Sequence, residues 1–156
     1  MSQENVEVVR RVLTPYDGQD MLPALRAGLE RLGSDPSPEA VLAVWADDPG
    51  WRHMHPDIEW DSQQVMGMRT AHGPQELVEW WAEWVEVWRS YVYRILEYRD
   101  LGDWVMTPQH VSAVGRDEIP LEMKNAQLWQ VRDGKVARVR VFFSEEETLD
   151  AVEQGP

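Results

Sequence analysis

Gln127-Leu128-Trp129-Gln130-Val131-Arg132-Asp133-Gly134-Lys135-Val136 decides the fold. A run of β-forming residues reaches Asp133-Gly134, the pair that best tolerates the positive φ angles of a tight hairpin, and the chain then turns back. After the turn, Val139 and Val141 alternate with Arg138 and Arg140 up to Phe143, the period of a strand with one buried face. Before the turn the strand extends back to Leu121. The turn residues of Gly115 to Glu118 separate it from another strand, Trp104 to Val114, and Leu101-Gly102-Asp103 separates that from a strand over Tyr91 to Arg99. Pro108, which cannot donate to a ladder, is expected at a bulge or an edge. Ser144, followed three residues on by Glu147, forms a capping box that opens a last helix to about Val152.

Upstream, the period changes to that of helices. Val6, Val9 and Leu13 share one face, and Pro15 ends that helix. Leu22, Leu25, Leu29 and Leu32 form a second stripe closed by Gly33. Ser37-Pro38-Glu39 starts a third helix carrying Val41, Leu42 and Trp45. Ile58 and Trp60 alternate with Glu59 and Asp61 in a short strand. Gly73-Pro74 opens the strongest helix, whose stripe of Leu77, Trp80, Trp81, Trp84, Val85 and Trp88 reads as a core face. Helices followed by a strand meander define an α+β fold, with helices packed on one face of a curved antiparallel sheet.

The 156 residues suit one domain, and 43 % hydrophobic content is enough for one core. The net charge of −13 opposes binding to nucleic acid or to an anionic membrane surface. No apolar stretch reaches membrane-spanning length, and the N-terminus lacks the basic and apolar regions of a signal peptide. With no cysteine there is no disulfide or thiolate chemistry, which fits a cytoplasmic location. Nine tryptophans supply core, interface or pocket walls.

Several segments resemble the SnoaL-like (nuclear transport factor 2-like) family of actinobacterial type. They are Met1 to Arg11, Asp57-Ile58-Glu59-Trp60-Asp61, Gly73-Pro74-Gln75-Glu76-Leu77, and Gln127 through Phe143. The resemblance covers nearly the whole chain, 1–156 as a single domain. It departs around residues 20–50, where a helical insertion is expected beside the mouth. It implies a cone-shaped curved sheet, partly mixed, wrapped around N-terminal helices in a cystatin-like roll. It also implies a deep pocket for a hydrophobic small molecule, a homodimer, and action without a cofactor.

Residues for that pocket follow from strand parity. The odd positions Met123, Asn125, Gln127 and Trp129 mix apolar groups with two amides, the composition of a pocket wall. Trp60 is expected as a second wall. By resemblance Asp61 stands where isomerase-like members carry a general base, and loss of hydration beside aromatic rings would raise its pKa. His110 is its expected partner. Gln127 falls where those isomerases place an acid, Val12 where they place a tyrosine, and Pro108 and Val141 fall on positions of the epoxide hydrolase site. These departures argue against both of those reactions. His53-Met54-His55-Pro56-Asp57 has ligand spacing, but no separate third ligand accompanies it, so no metal is expected. Three readings stand: an acid–base isomerase, dehydratase or cyclase with Asp61 and His110 catalytic; a ligand-binding module; and a dimeric interaction domain.

Overall fold

The computed structural model describes residues 2–34, 36–62 and 67–154. Met1 of the N-terminal segment and Asp35 of the 20–50 segment lie outside the described residues. Five helices are described: α1 Ser2–Leu13, α2 Leu22–Leu32, α3 Pro38–Ala46, α4 Gly73–Val85 and α5 Glu145–Glu153. The strands are β1 Met54–Asp61, β2 Ala71–His72, β3 Trp88–Ile95, β4 Arg99–Asp100, β5 Val105–Gly115, β6 Pro120–Arg132 and β7 Lys135–Phe142. Their order across the sheet is β2-β1-β7-β6-β5-β3, with β4 on the far edge of β5. β1 runs parallel to β7 and the other pairings are antiparallel, so the sheet is mixed.

Local signals act where the sequence places them. Ser37 accepts a hydrogen bond from Ala40 N, and Ser144 accepts one from Glu147 N, so both serines are N-caps. Asp133 and Gly134 both take positive φ, as the hairpin requires. Pro108 stands where β5 has no ladder partner on one side, a local edge of the kind expected: residues 96–98 face 107–108 between the pairs Ile95–Gln109 and Arg99–Met106. It lies in register opposite Ala126. Its carbonyl accepts from Leu96 N, in the gap where β3 has ended at Ile95 and β4 has not begun. The N–H that proline lacks therefore falls where the neighbouring strand is interrupted.

Two cores lie on opposite faces of the sheet. The inner face carries the main core, formed with α1, α2, α3 and α4. The outer face carries Trp104, Met106, Ala126, Leu128 and Phe142, with Ala151 and Val152 of α5 packed against them. Helices thus cover both faces, where the sequence suggested one. α5 turns part of the outer surface into a second apolar layer.

The segment after α1 is laid along β3. Gly18 N donates to Tyr93 O, Met21 N to Tyr91 O, and Asp20 Oδ1 accepts from Tyr91 N. This sets Tyr16 and Met21 at the entrance to the inner face. Across from them, Gly50 lies so close to the end of α1 that an added Cβ would come within 2.6 Å of Val12 O. Gly28, inside α2, has nothing within 4 Å of the same position.

These two glycines give a matched test. Gly50→Ala is expected to cost about 1–3 kcal/mol, because backbone must move to relieve the contact. Gly28→Ala is expected to stabilise by up to about 1 kcal/mol through helix propensity alone. Urea unfolding of both variants checks the pair.

Candidate functional site

The inner face of β5 presents Thr107 and Gln109, and that of β6 presents Met123, Asn125, Gln127 and Trp129. In the antiparallel register Gln109 is opposite Asn125, and Thr107 is opposite Gln127. The four polar side chains form one buried patch, each no more than 8 % exposed. The Thr107 hydroxyl accepts from Trp129 Nε1 at 2.8 Å and donates to Gln127 Oε1 at 3.4 Å. This pins the Gln127 amide through its oxygen. No hydrogen-bond partner is present for Asn125 Oδ1, Ser62 Oγ, Trp60 Nε1, Trp80 Nε1 or Trp81 Nε1 among the described residues. A buried polar group without a partner costs about 1–3 kcal/mol, so such a cluster is tolerated where something else can complete it.

All of these residues except Thr107 line an inner chamber of about 80 Å³. Trp60 forms the hub of its wall. Its ring meets Trp80, Trp81 and Trp129 at centroid distances of 6.0, 5.4 and 6.0 Å, the last two edge-on. Edge-to-face pairs are favoured by the ring quadrupole and hold each ring at a fixed angle. Among the described residues, no Asp, Glu, His, Lys or Arg lines this chamber. Its titratable groups are Tyr16, Tyr91 and Tyr93. Burial raises all three above the ordinary phenol range. At Tyr16 the hydrogen bond to Asp48 and that carboxylate's charge add to the effect.

A second, outer chamber of about 250 Å³ lies between α2, α3 and α4. Tyr16, Met21, Trp51 and Trp81 line both chambers and mark their junction. Asp48 builds this junction. Its Oδ2 accepts from Tyr16 Oη at 2.6 Å, and its Oδ1 accepts from Gly50 N and Trp51 N at 2.9 and 2.8 Å. Trp51 is thereby held stacked on Trp45 and edge-on to Trp81.

The expected acid–base pair is not assembled at the chamber. Asp61 follows Trp60 on β1 and so points to the opposite face, where its Oδ2 is 3.9 Å from Arg140 Nε. Glu59 sits likewise beside Arg138. His110 is also on the outer face, between Arg94 and Lys124 in register, with Nε2 3.1 Å from Glu122 Oε2. Trp60, Met123, Asn125, Gln127 and Trp129 do line the chamber. Gln109 was missed, although counting back through the Gly115 to Glu118 turn sets it opposite Asn125. The His53–Asp57 segment does not gather ligands. His55 Nδ1 accepts from Asp57 N, and its Nε2 is 3.5 Å from Asp133. His53 is held below its usual pKa by burial and then by Arg52, Arg11 and Lys135. No group of three or more potential ligand side chains occurs among the described residues.

A curved α+β sheet enclosing a tryptophan-walled chamber defines a class of cone-shaped pocket proteins. Residues 25–139 match the model of the SnoaL-like domain, and the chain belongs to that family. Among solved structures, TerC, co-crystallised with polyporic acid, is 20 % identical at a TM-score of 0.55, covering 85 % of this chain and 98 % of that one. Bal32a, from a soil-derived mobile gene cassette, is 14 % identical at a TM-score of 0.59, covering 96 % and 95 %. A putative SnoaL-like polyketide cyclase from Jannaschia sp. CCS1 is 14 % identical at a TM-score of 0.53, covering 88 % and 95 %. At these identities the likeness is one of fold. A search of curated protein sequences finds no match. No described helix is long and apolar enough to cross a membrane.

Two outcomes test the site's chemistry. Thr107→Val strips Trp129 Nε1 of its acceptor, and a loss of about 1–3 kcal/mol in urea unfolding is expected. The second concerns the four tyrosines, each raised chiefly by burial, Tyr98 included. The native state then holds phenolic protons more tightly than the unfolded chain. Their contribution to stability is complete below about pH 10 and is lost as pH rises through the raised native values. Tyrosinate absorbance near 295 nm should therefore appear together with loss of the native circular dichroism, and not before it.

Proposed function

We propose that the inner chamber binds a neutral, flat, largely apolar small molecule carrying a hydroxyl or carbonyl group. One observation carries this reading: a buried polar patch of Gln109, Asn125 and Gln127, the last held by Thr107, inside a wall of tryptophan rings. Such a chamber suits a ring that stacks on aromatic faces and forms a few directional hydrogen bonds. Charge in the ligand is disfavoured, because no side chain of opposite charge is there to offset its desolvation. The patch offers both donors and acceptors, since Gln109, Asn125 and Gln127 are amides. Trp60, Met123 and Trp129 act as walls. The reading takes 1–156 as one domain, with α2 and α3 as its additional helical part.

Binding is favoured over acid–base catalysis by the position of Asp61 and His110, which lie across the sheet from the chamber. A general base must come within hydrogen-bond reach of the proton it takes. The likeness to TerC, co-crystallised with polyporic acid, and the family membership add support for a small-molecule role. Within this family, fold alone does not assign a reaction.

Calorimetry with 4-methylphenol and toluene tests the proposal, because the two differ by one hydroxyl. The protein is expected to favour the phenol by about tenfold, the worth of one well-made hydrogen bond. Gln127→Leu and Asn125→Leu should remove that preference, whereas Asp61→Asn and His110→Gln should keep it. Equal affinity of the native protein for both compounds would contradict the reading. So would loss of phenol binding in Asp61→Asn, which would return catalysis at that carboxylate to the front.

A further inference from the structure

The outer chamber belongs to neither the strand-based site nor the expected catalytic pair. It is the larger of the two cavities, about 250 Å³ against 80 Å³. Its walls are mainly apolar: Leu25, Leu29 and Leu32 of α2, Val44 and Trp45 of α3, and Val78 of α4. Its charged groups are already engaged. Arg31 Nη2 pairs with Asp47 Oδ2 at 3.0 Å, tying α2 to α3 at the rim. Asp48 accepts hydrogen bonds from Tyr16, Gly50 and Trp51 at the root. The space is a groove open to solvent along the exposed Ala24, Ala27, Arg31 and Asp47, and its floor of half-buried leucines would shed hydration against an apolar ligand. The helices do not close over it. The Arg31–Asp47 pair joins α2 to the end of α3 at the rim, and Asp48 joins the segment before α2 to the segment after α3 at the root.

The chamber also adjoins the inner one. Tyr16, Met21, Trp51 and Trp81 face both. The Tyr16 hydroxyl donates to Asp48, so an apolar segment passing between the chambers leaves no donor of Tyr16 unpaired.

We propose that the two chambers form one site for an elongated neutral ligand, with its hydrogen-bonding ring against Gln109, Asn125 and Gln127 and an apolar tail between α2 and α3. This inference rests on the binding role proposed above for the inner chamber, and adds a second subsite to it. The ligand class is a phenol or aryl ketone extended by an alkyl or further apolar segment. The polar patch sets the end that enters first, and the α2–α3 pair sets the length.

A chain-length series separates the two claims. Binding of 4-methylphenol, 4-butylphenol and 4-octylphenol is measured by calorimetry on the native chain, on Gly28→Leu and on Ala27→Leu. Each methylene that enters the outer chamber should tighten native binding by about fourfold until the chamber is full. Gly28 and Ala27 line the chamber, and a Cβ at Gly28 meets nothing within 4 Å, so leucine fills tail space without touching the ring subsite. Both variants should bind 4-methylphenol as the native chain does and lose at least tenfold for 4-octylphenol. Native affinity that does not rise with chain length overturns the inference, even if one variant fails to fold. A rise that persists unchanged in a folded variant overturns it too, because the tail then lies elsewhere. Failure of the native protein to bind 4-methylphenol at all would count against the inner-chamber reading itself.

Discussion

The contact of Trp60 with Trp80, Trp81 and Trp129 is the constraint on which the rest of the molecule depends. It joins three elements that are distant in sequence: β1, α4 and β6. Rigid rings meeting edge-on cannot collapse onto one another as flexible aliphatic chains would, so they set a spacing between helix and sheet. A sheet held at that distance leaves room in front of β5 and β6. The same geometry passes outward through Trp81 to Trp51 and Trp45, and so fixes where α3 stands. Pocket and core are therefore one construction, and a tryptophan here serves both.

The polar side of the chamber depends on a shorter chain of causes. β-strand parity puts every second residue of β6 on the inner face, and hairpin register puts its β5 neighbour alongside. Thr107 then links Trp129 to Gln127, so one hydroxyl couples an aromatic wall to a polar anchor. Asp48 plays the corresponding part at the junction. It is a carboxylate whose acceptor capacity goes into holding the loop that carries Trp51.

Much of this was legible in the sequence, for reasons that differ by element. Period and caps located the helices and long strands, because Ser37, Ser144 and Asp133-Gly134 act through neighbours a few residues away. The inner face of β6 was legible because its even positions carry charge at both ends. β5 was not, because apolar side chains occupy both of its faces. Trp104 and Met106 look like core residues and are so, but beneath α5 on the outer side. His110 belongs to that outer row, while Gln109, one residue earlier, lies inside opposite Asn125. Asp61 shows the opposite failure. Its alternation with Trp60 already pointed it outward, and resemblance to a catalytic position outweighed the parity. The Arg140 that receives it comes from a parallel pairing of β1 with β7, which no local pattern announces. The chamber between α2 and α3 is likewise a product of tertiary packing, and nothing in either helix's own stripe reveals the gap.

A crystal structure of the protein grown with 4-octylphenol tests the central claim most directly. The account expects the ring among Trp60, Asn125, Gln127 and Trp129, with its oxygen in hydrogen-bond contact with the amide patch and the chain directed past Tyr16. A phenol bound instead on the outer face beside Asp61 and His110 would contradict it, as would a chamber closed by its own tryptophans with no ligand inside.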